Sequence, residues 1–170
     1  IDPNPIDEVL NMTKSEFTRR VQDAQEMLYR ITFGLLREPQ DRLDAVQEAI
    51  LKAWCARDKL RDARFFETWL VRILINECHN RQRAQARLVP LDAAEEIAEG
   101  FHEDSPLRDA LLALPEKLRV PIMLHYMEGY KTDEIARMLR LPGGTVRTRL
   151  RRGRAMLKTL LEESERRGTK

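Results

Sequence analysis

The sequence is poor in the residues that build disulfide frameworks and metal sites. Its only cysteines are Cys55 and Cys78, and both lie within helical patterns. Neither has the spaced cysteine and histidine neighbours that a zinc site requires. Cys78 and His79 are adjacent on a helix and therefore point in different directions. We expect two buried free thiols in a reducing compartment, and no metal or other cofactor.

Long hydrophobic runs and export signals are also missing. No stretch approaches the roughly 20 apolar residues of a membrane span, and no signal-peptide pattern precedes Met12. The sequence therefore predicts a cytoplasmic protein. A natural start appears at Met12, so residues 1–11 are interpreted as an N-terminal arm or a vector-derived remnant.

Signals of catalysis are absent from the sequence as well. There is no glycine-rich phosphate loop, and His79, His102 and His125 have no serine or cysteine partner at a recognisable spacing. We therefore expect a protein that catalyses no reaction.

Charge is nearly balanced in total but strongly segregated along the chain. There are 30 basic and 28 acidic residues, a formal net charge of +2. Acidic residues without any lysine or arginine occupy the stretch from Asp92 to Asp104, whereas five arginines lie between Arg147 and Arg154. The balanced total therefore does not argue against a nucleic-acid partner for the basic segment.

Apolar residues recur at helical spacing along nearly the whole chain, which predicts an all-α fold. Two small helical domains are predicted, an N-terminal bundle at 12–87 and a helix-turn-helix domain at 106–170, joined by an acidic linker at 88–105. Pro39 is predicted to end the first helix, and the second helix then carries the apolar stripe Leu43, Val46, Ala49, Ile50 and Ala53. The stripe of the first helix is Ala24, Leu28, Ile31 and Leu35, and the third helix, from Phe65 or Phe66 to about Arg87, has Trp69, Leu70, Ile73 and Leu74 inside.

The C-terminal segment has the pattern of a helix-turn-helix. Thr132 is predicted to cap a short helix, a turn follows at Arg140, and a second helix begins at Pro142. Its apolar side is Val146, Leu150, Gly153 and Leu157. The other side presents hydroxyl and guanidinium groups, which can read a major groove. The alternative is a merely solvated arginine face. The candidate duplex-binding residues are Lys131, Thr132, Thr145, Arg147, Thr148, Arg149, Arg151 and Arg152.

A basic stripe and aromatic residues mark the third helix and the loop before it. Cationic side chains can bind the phosphates, and aromatic side chains beside them can stack on unpaired bases. This combination suits single-stranded DNA, or duplex DNA that is being opened. The alternative is that Phe65, Phe66 and Trp69 are core residues, which is favoured for Trp69 and for one of the two phenylalanines. The candidates are Lys59, Arg61, Arg64, Phe65, Arg72, Asn76, His79, Asn80 and Arg83.

A polar patch on the second helix carries negative charge and is predicted to bind a protein. It consists of Asp41, Asp44, Gln47 and Glu48. Acidic patches are commonly only solvated surface. One that lies beside DNA-facing cations suits a protein partner better than DNA.

These residues resemble the extracytoplasmic-function, or group IV, sigma factors of bacterial RNA polymerase. DAVQEA at 44–49 and FETWLVRI at 66–73 are similar to the family's region 2. LALPEK at 112–117, EIA at 134–136 and GTVRTRL at 144–150 are similar to its region 4. The resemblance covers roughly residues 12–165.

The resemblance implies a role for each segment. Asp44, Gln47 and Glu48 would grip the clamp helices of the largest polymerase subunit, and region 4 would meet the flap of the second-largest. The loop from Lys59 to Phe65 and the next helix would read the minus-10 element, with one base captured out of the stack. The helix from Pro142 would read the minus-35 element, the acidic linker would thread polymerase channels, and an anti-sigma factor is an implied partner.

Two residues depart from the family pattern. Arg140 replaces a glycine that is frequent in the turn, so either the turn avoids positive φ or arginine bears a steric cost there. Leu43 replaces a charged or small residue. An ordinary helix-turn-helix repressor or activator is the competing hypothesis; it predicts duplex binding alone, as a symmetric dimer, and leaves the loop aromatics unexplained.

Overall fold

The computed structural model describes residues 12–88 and 106–168, and every regular element in those ranges is helical. The all-α prediction is thereby confirmed. The helices are α1 (Lys14–Phe33), α2 (Pro39–Ala56), α3 (Phe66–Leu88), α4 (Pro106–Ala113), α5 (Glu116–Ile122), α6 (Thr132–Leu139) and α7 (Gly143–Gly168). The arm at 1–11 and nearly all of the predicted linker lie outside the described residues.

Helices α1 to α3 form an N-terminal lobe whose interior matches the predicted apolar stripes. Leu28 of α1 and Leu70 and Leu74 of α3 are fully buried. Phe17 closes one end of this interior, with its ring edge-on to Trp54 at 5.1 Å and to Phe66 at 5.7 Å between centroids. Edge-to-face aromatic pairs of this kind add to the free energy gained from burial.

The prediction that Pro39 ends the first helix is wrong, and the inner face of the second helix also differs from its prediction. α1 ends at Phe33, and Pro39 is the first residue of α2, a position where its missing N–H costs nothing. Leu43 was expected inside and is 48% exposed, whereas Arg42 is 2% exposed. The Arg42 guanidinium lies over the Phe33 ring and donates from Nε to the Leu36 carbonyl at 2.9 Å. These partners allow a charged residue to take the inward position.

Helices α4 to α7 form a C-terminal lobe with a widened helical turn in its middle. After α5 the chain continues as a π turn, Met123–Met127, and the Glu128 amide donates to the Met123 carbonyl at 3.2 Å. The chain then reverses at Gly129, whose φ of 74° favours glycine. The sequence predicted the end of the helix at this glycine but not the π turn.

Gly153 allows α7 to pack closely on α5. A Cβ atom at Gly153 would lie 2.8 Å from Ile122 Cγ1, so Gly153→Ala should lower the free energy of unfolding by about 1–3 kcal/mol. The matched control is Gly144→Ala, where a Cβ would meet only the tip of Arg147 at 3.9 Å. That change should raise stability by up to about 1 kcal/mol through helix propensity. Urea unfolding measures both, and equal effects would contradict the close approach.

The cysteine prediction is half right. Cys78 is buried, and burial raises the pKa of its thiol to about 12, so it is unreactive near neutral pH. Cys55 is exposed rather than buried. It lies in the last turn of α2, on the side that faces away from the bundle.

Candidate nucleic-acid interface

The helix-turn-helix is formed by α6, a short turn and α7. The prediction that Thr132 caps α6 is wrong: Lys131 is the N-cap residue and Thr132 is the first helical residue. The Lys131 amide donates to the Glu134 carboxylate at 2.8 Å. Glu134 thus satisfies an amide that the helix itself leaves unpaired.

Arg140 ends α6 in a left-handed conformation, with φ 54° and ψ 46°. It is the one non-glycine residue with positive φ in the described ranges, so of the two outcomes left open by the sequence, arginine bears the steric cost.

Replacing Arg140 with glycine should therefore raise the free energy of unfolding by about 1 kcal/mol. The matched control is Arg154→Gly, in the regular interior of α7, which should lower it by about 1 kcal/mol. Thermal or urea unfolding distinguishes the two signs. A loss of stability in both variants would mean that the arginine side chain itself stabilises the turn.

The two predicted faces of α7 are confirmed. Val146 is 0% exposed and Leu150 is 7% exposed, both against the rest of the lobe. On the other side, Thr145 and Arg149 are half-buried at the edge of the exposed face. Thr132 is half-buried as well, and the exposed members of the predicted reading face are Lys131, Arg147, Thr148, Arg151 and Arg152.

The loop before α3 is held by an aspartate that is not among the residues predicted from the sequence. Asp62 accepts a hydrogen bond from the Arg64 amide at 2.9 Å and another from its guanidinium at 2.8 Å. The guanidinium holds the pKa of the Asp62 carboxyl below its usual value. Such side-chain-to-backbone turns are frequent for aspartate, so the Asp-Ala-Arg spacing could have indicated this one.

Two adjacent phenylalanines at the end of this loop differ in exposure. Phe66 is 1% exposed and belongs to the core, whereas Phe65 is 46% exposed at the surface. Trp69 is partly buried against the core. The prediction that Trp69 and one phenylalanine are core residues is confirmed, and Phe65 is left as an accessible ring. Lys59, Arg61 and Arg64 are exposed on the same loop.

The basic stripe of α3 is present, but part of it faces the C-terminal lobe. Asn76, Asn80 and Arg83 are exposed, whereas Arg72 and His79 are half-buried. His79 Nε2 lies 3.2 Å from the Glu116 carboxylate at the start of α5. This hydrogen bond is the main reason that the pKa of Glu116 is lowered.

The polar patch of α2 is partly neutralised by α3. Asp41 and Asp44 lie 3.4 Å and 3.5 Å from one guanidinium nitrogen of Arg81. Gln47 is exposed, and Glu48 is paired with Lys52 at 3.3 Å.

Two exposed leucines flank this patch, Leu43 at 48% and Leu51 at 60% exposure. The surface is therefore a mixture of apolar and acidic groups. Within the described residues no helix is both long and apolar enough to cross a membrane.

An exposed helix-turn-helix face in one lobe and a basic, aromatic loop in the other define a two-part DNA-binding protein. Each of the two parts matches a known family model. Residues 20–88 match the family model of Sigma-70 region 2, and residues 105–157 match that of Sigma-70, region 4.

Curated relatives and solved structures agree with the family models. The RNA polymerase sigma-H factor of Pseudomonas aeruginosa is 30% identical, over 95% of this chain and 94% of the relative. The ECF RNA polymerase sigma-E factor of Escherichia coli is 35% identical, over 65% of this chain and 69% of the relative. The sigma factor RpoE of Bartonella quintana, solved with the anti-sigma factor NepR, shares the fold at 24% identity and a TM-score of 0.77, over 86% of this chain and 97% of that one.

The chain therefore belongs to the extracytoplasmic-function group of the sigma-70 family. It binds core RNA polymerase, directs the enzyme to promoters through the minus-10 and minus-35 elements, and helps open the DNA for initiation.

Proposed function

We propose that the loop before α3 and the exposed side of α3 carry the minus-10 function. The exposure of Phe65 beside the buried Phe66 supports this most directly, because a ring held at the surface by a fixed turn offers a stacking face to an unpaired base. Loop cations would hold the adjacent phosphates. The assigned residues are Lys59, Arg61, Arg64, Phe65, Arg72, Asn76, His79, Asn80 and Arg83.

The exposed face of α7 is assigned to the minus-35 element. Its guanidinium groups are spaced along one side of a rigid helix, so an arginine can bond a guanine edge bidentately and a threonine methyl can meet thymine. Gly143 and Gly144 begin α7, and because they carry no side chain a phosphate could approach their backbone amides closely. The assigned residues are Lys131, Thr132, Thr145, Arg147, Thr148, Arg149, Arg151 and Arg152.

The α2 patch is assigned to core polymerase. Asp41, Asp44, Gln47 and Glu48 would contact the clamp helices of the largest subunit, with Leu43 and Leu51 as apolar anchors beside them. The C-terminal lobe would contact the flap of the second-largest subunit. We retain the division into region 2 at 12–87, linker at 88–105 and region 4 at 106–170 as part of this proposal.

Control of the protein is assigned to an anti-sigma factor. The sigma factor RpoE, which has this fold, was solved in complex with the anti-sigma factor NepR, and CnrH, which has the same fold, was solved in complex with the cytosolic domain of CnrY. The protein would act in the cytoplasm, where polymerase and promoters are, and would itself catalyse no reaction.

Run-off transcription tests the proposal. Core RNA polymerase is incubated with a pool of promoter fragments in the presence and absence of the protein. We expect specific initiation only when the protein is present, from promoters that share both elements. Tight duplex binding without core-dependent initiation would instead favour an ordinary helix-turn-helix repressor or activator.

A further inference from the structure

A single tight helical turn presents the Phe65 ring at the surface. The turn is Ala63–Phe65, and it leads directly into α3 at Phe66. Over two adjacent positions the chain leaves one ring 46% exposed and the next 1% exposed. A turn of three residues is too short to be stable through its own hydrogen bonds. The contacts that hold it from outside therefore decide where the Phe65 ring lies.

Asp62 holds the start of this turn. One of its carboxylate oxygens accepts a hydrogen bond from the Arg64 amide at 2.9 Å, and the other accepts one from the Arg64 guanidinium at 2.8 Å. The Asp62 carbonyl also accepts the Phe65 amide at 3.1 Å. Hydrogen bonds between ionised groups are about twice as strong as those between neutral groups. Asp62 thus fixes the amides of two successive residues of the turn.

Arg20 connects the same turn to α1. Its Nη1 donates to the Ala63 carbonyl at 2.7 Å, and this carbonyl also accepts the Phe66 amide. The Arg20 guanidinium lies 5.7 Å from the centroid of the Phe66 ring. Glu16, one turn earlier on α1, accepts a hydrogen bond from Arg20 Nε at 3.1 Å and so orients the guanidinium. The backbone just before the two phenylalanines is therefore tied to a helix of the N-terminal lobe.

The charge of Asp62 is opposite to the charge that a DNA contact needs. Lys59, Arg61 and Arg64 are exposed cations of the same loop and can attract phosphates, whereas a carboxylate beside them repels phosphates. The ion pair with Arg64 also contributes little to folding, because the Arg64 side chain is 86% exposed and water screens it. Neither attraction of DNA nor stability of the whole fold explains Asp62, which leaves its local effect on the turn.

We propose that Asp62 and Arg20 are positioning residues for the minus-10 function. Together they hold the turn so that the Phe65 ring is in place before an unpaired base arrives, and neither needs to contact DNA. A ring that is already ordered loses little freedom when it binds, which favours binding. The inference rests on the proposed minus-10 role of Phe65. Loss of either residue should slow promoter opening and spare the initial binding to duplex, because the ring is used only after a base leaves the stack.

The first measurement is the order of the turn in the free full chain. Nitrogen-15 relaxation gives an order parameter for each backbone amide. In the parent protein the amides of the turn should be as rigid as those of α3, whereas in Asp62→Ala and in Arg20→Ala their order parameters should fall below about 0.6. The matched controls are Asp58→Ala and Arg19→Ala, which remove the same charges from exposed positions outside the turn. Both controls should leave the turn rigid.

The second measurement is the rate of promoter opening by holoenzyme, at promoters identified by run-off transcription. At saturating protein this rate should fall about tenfold in Asp62→Ala and in Arg20→Ala. Affinity for the closed complex, measured at low temperature, should equal that of the charge-matched control. A simple loss of folded protein would reduce the amount of active holoenzyme and would leave the rate at saturation unchanged.

An amide substitution separates the geometry of the turn from the charge. Asp62→Asn keeps an oxygen that can accept the Arg64 amide, and it should retain most of the opening rate. If only the charge mattered, Asp62→Ala and Asp58→Ala would behave alike, because each removes a carboxylate that repels phosphate. Equal opening rates in these two alanine variants would therefore overturn the inference, as would a rigid turn in both Asp62→Ala and Arg20→Ala.

Phe65→Ala shows which of the two proposals fails. If this variant opens promoters slowly and Asp62→Ala opens them at the parent rate, the inference is wrong and the proposed function stands. If Phe65→Ala itself opens promoters at the parent rate, the proposed minus-10 role is wrong and the inference falls with it. The order parameters would then still show whether Asp62 and Arg20 hold the turn.

Discussion

Phe65→Ala should lower the rate of open-complex formation about 10–100-fold with little change in the stability of the fold. Stacking of one base on an aromatic side chain contributes about 1–3 kcal/mol, and this must help offset a few kcal/mol for flipping the base. Phe65 is half-exposed, in contrast to Phe66 beside it, so its truncation leaves no cavity. Permanganate reactivity of unpaired thymines, followed over time, measures the rate.

Matched variants separate stacking from general surface effects. Leu107, at 48% exposure against 46% for Phe65, is a comparable apolar side chain in the other lobe, and Leu107→Ala should leave the rate unchanged. Phe65→Trp keeps a stacking face and should retain most of the activity. Normal open-complex formation by a double variant of Arg64 and Phe65 to alanine would show that the strand is melted elsewhere.

The helical framework and much of the candidate site follow from local sequence. Hydrophobic spacing placed Leu28, Leu70 and Leu74 correctly in the interior, because a side chain's face on a helix is fixed by a period of about 3.6 residues. The same reasoning assigned Val146 and Leu150 to the inner side of α7. Faces of this kind depend only on residues a few positions apart.

The exchange of Leu43 and Arg42 shows where that reasoning stops. The inner positions of α2 are Arg42, Ala45, Val46, Ala49 and Ala53, and Leu43 is one position out of phase. A charged residue is rarely buried unless its hydrogen bonds are met. The Arg42 side chain is accepted because the Leu36 carbonyl and the Phe33 ring lie opposite it, which hydropathy does not reveal.

The contacts between the two lobes were not predictable from one sequence. Arg30 of α1 donates two hydrogen bonds to the Glu128 carboxylate, although the two residues are 98 positions apart, and neither lies in a motif that names the other. The sequence predicts two separate domains because the hydrophobic patterns of the two halves are separate. The packing depends on complementary surfaces, including the space for Met123 at Gly34, which has no side chain. Complementarity of this kind produces no periodic pattern in the sequence.

Arg152→Ala should lower occupancy of the correct promoter about 10–100-fold, since one bidentate contact to a base edge contributes about 1–3 kcal/mol of discrimination. Arg152 is exposed on the reading side of α7, as is Thr148 one turn earlier. The matched control is Arg166→Ala. Arg166 is also exposed on α7, but it lies about four turns beyond Arg152 towards the end of the helix, past all the assigned reading residues, and its loss should have little effect. Footprinting of the minus-35 element with holoenzyme measures occupancy.

Salt dependence and base substitution distinguish a base contact from a phosphate contact for Arg152. If Arg152 bonds a base, the alanine variant should no longer distinguish between bases at one base pair. Its affinity for promoters substituted at that pair should then equal the affinity of the parent protein for the same promoters. If it bonds only phosphate, every promoter should weaken by the same factor. The slope of log affinity against log salt concentration should then become shallower by about 0.9. A uniform loss of affinity would mean that α7 still binds the promoter but that Thr148 and Arg149, and not Arg152, recognise the base sequence.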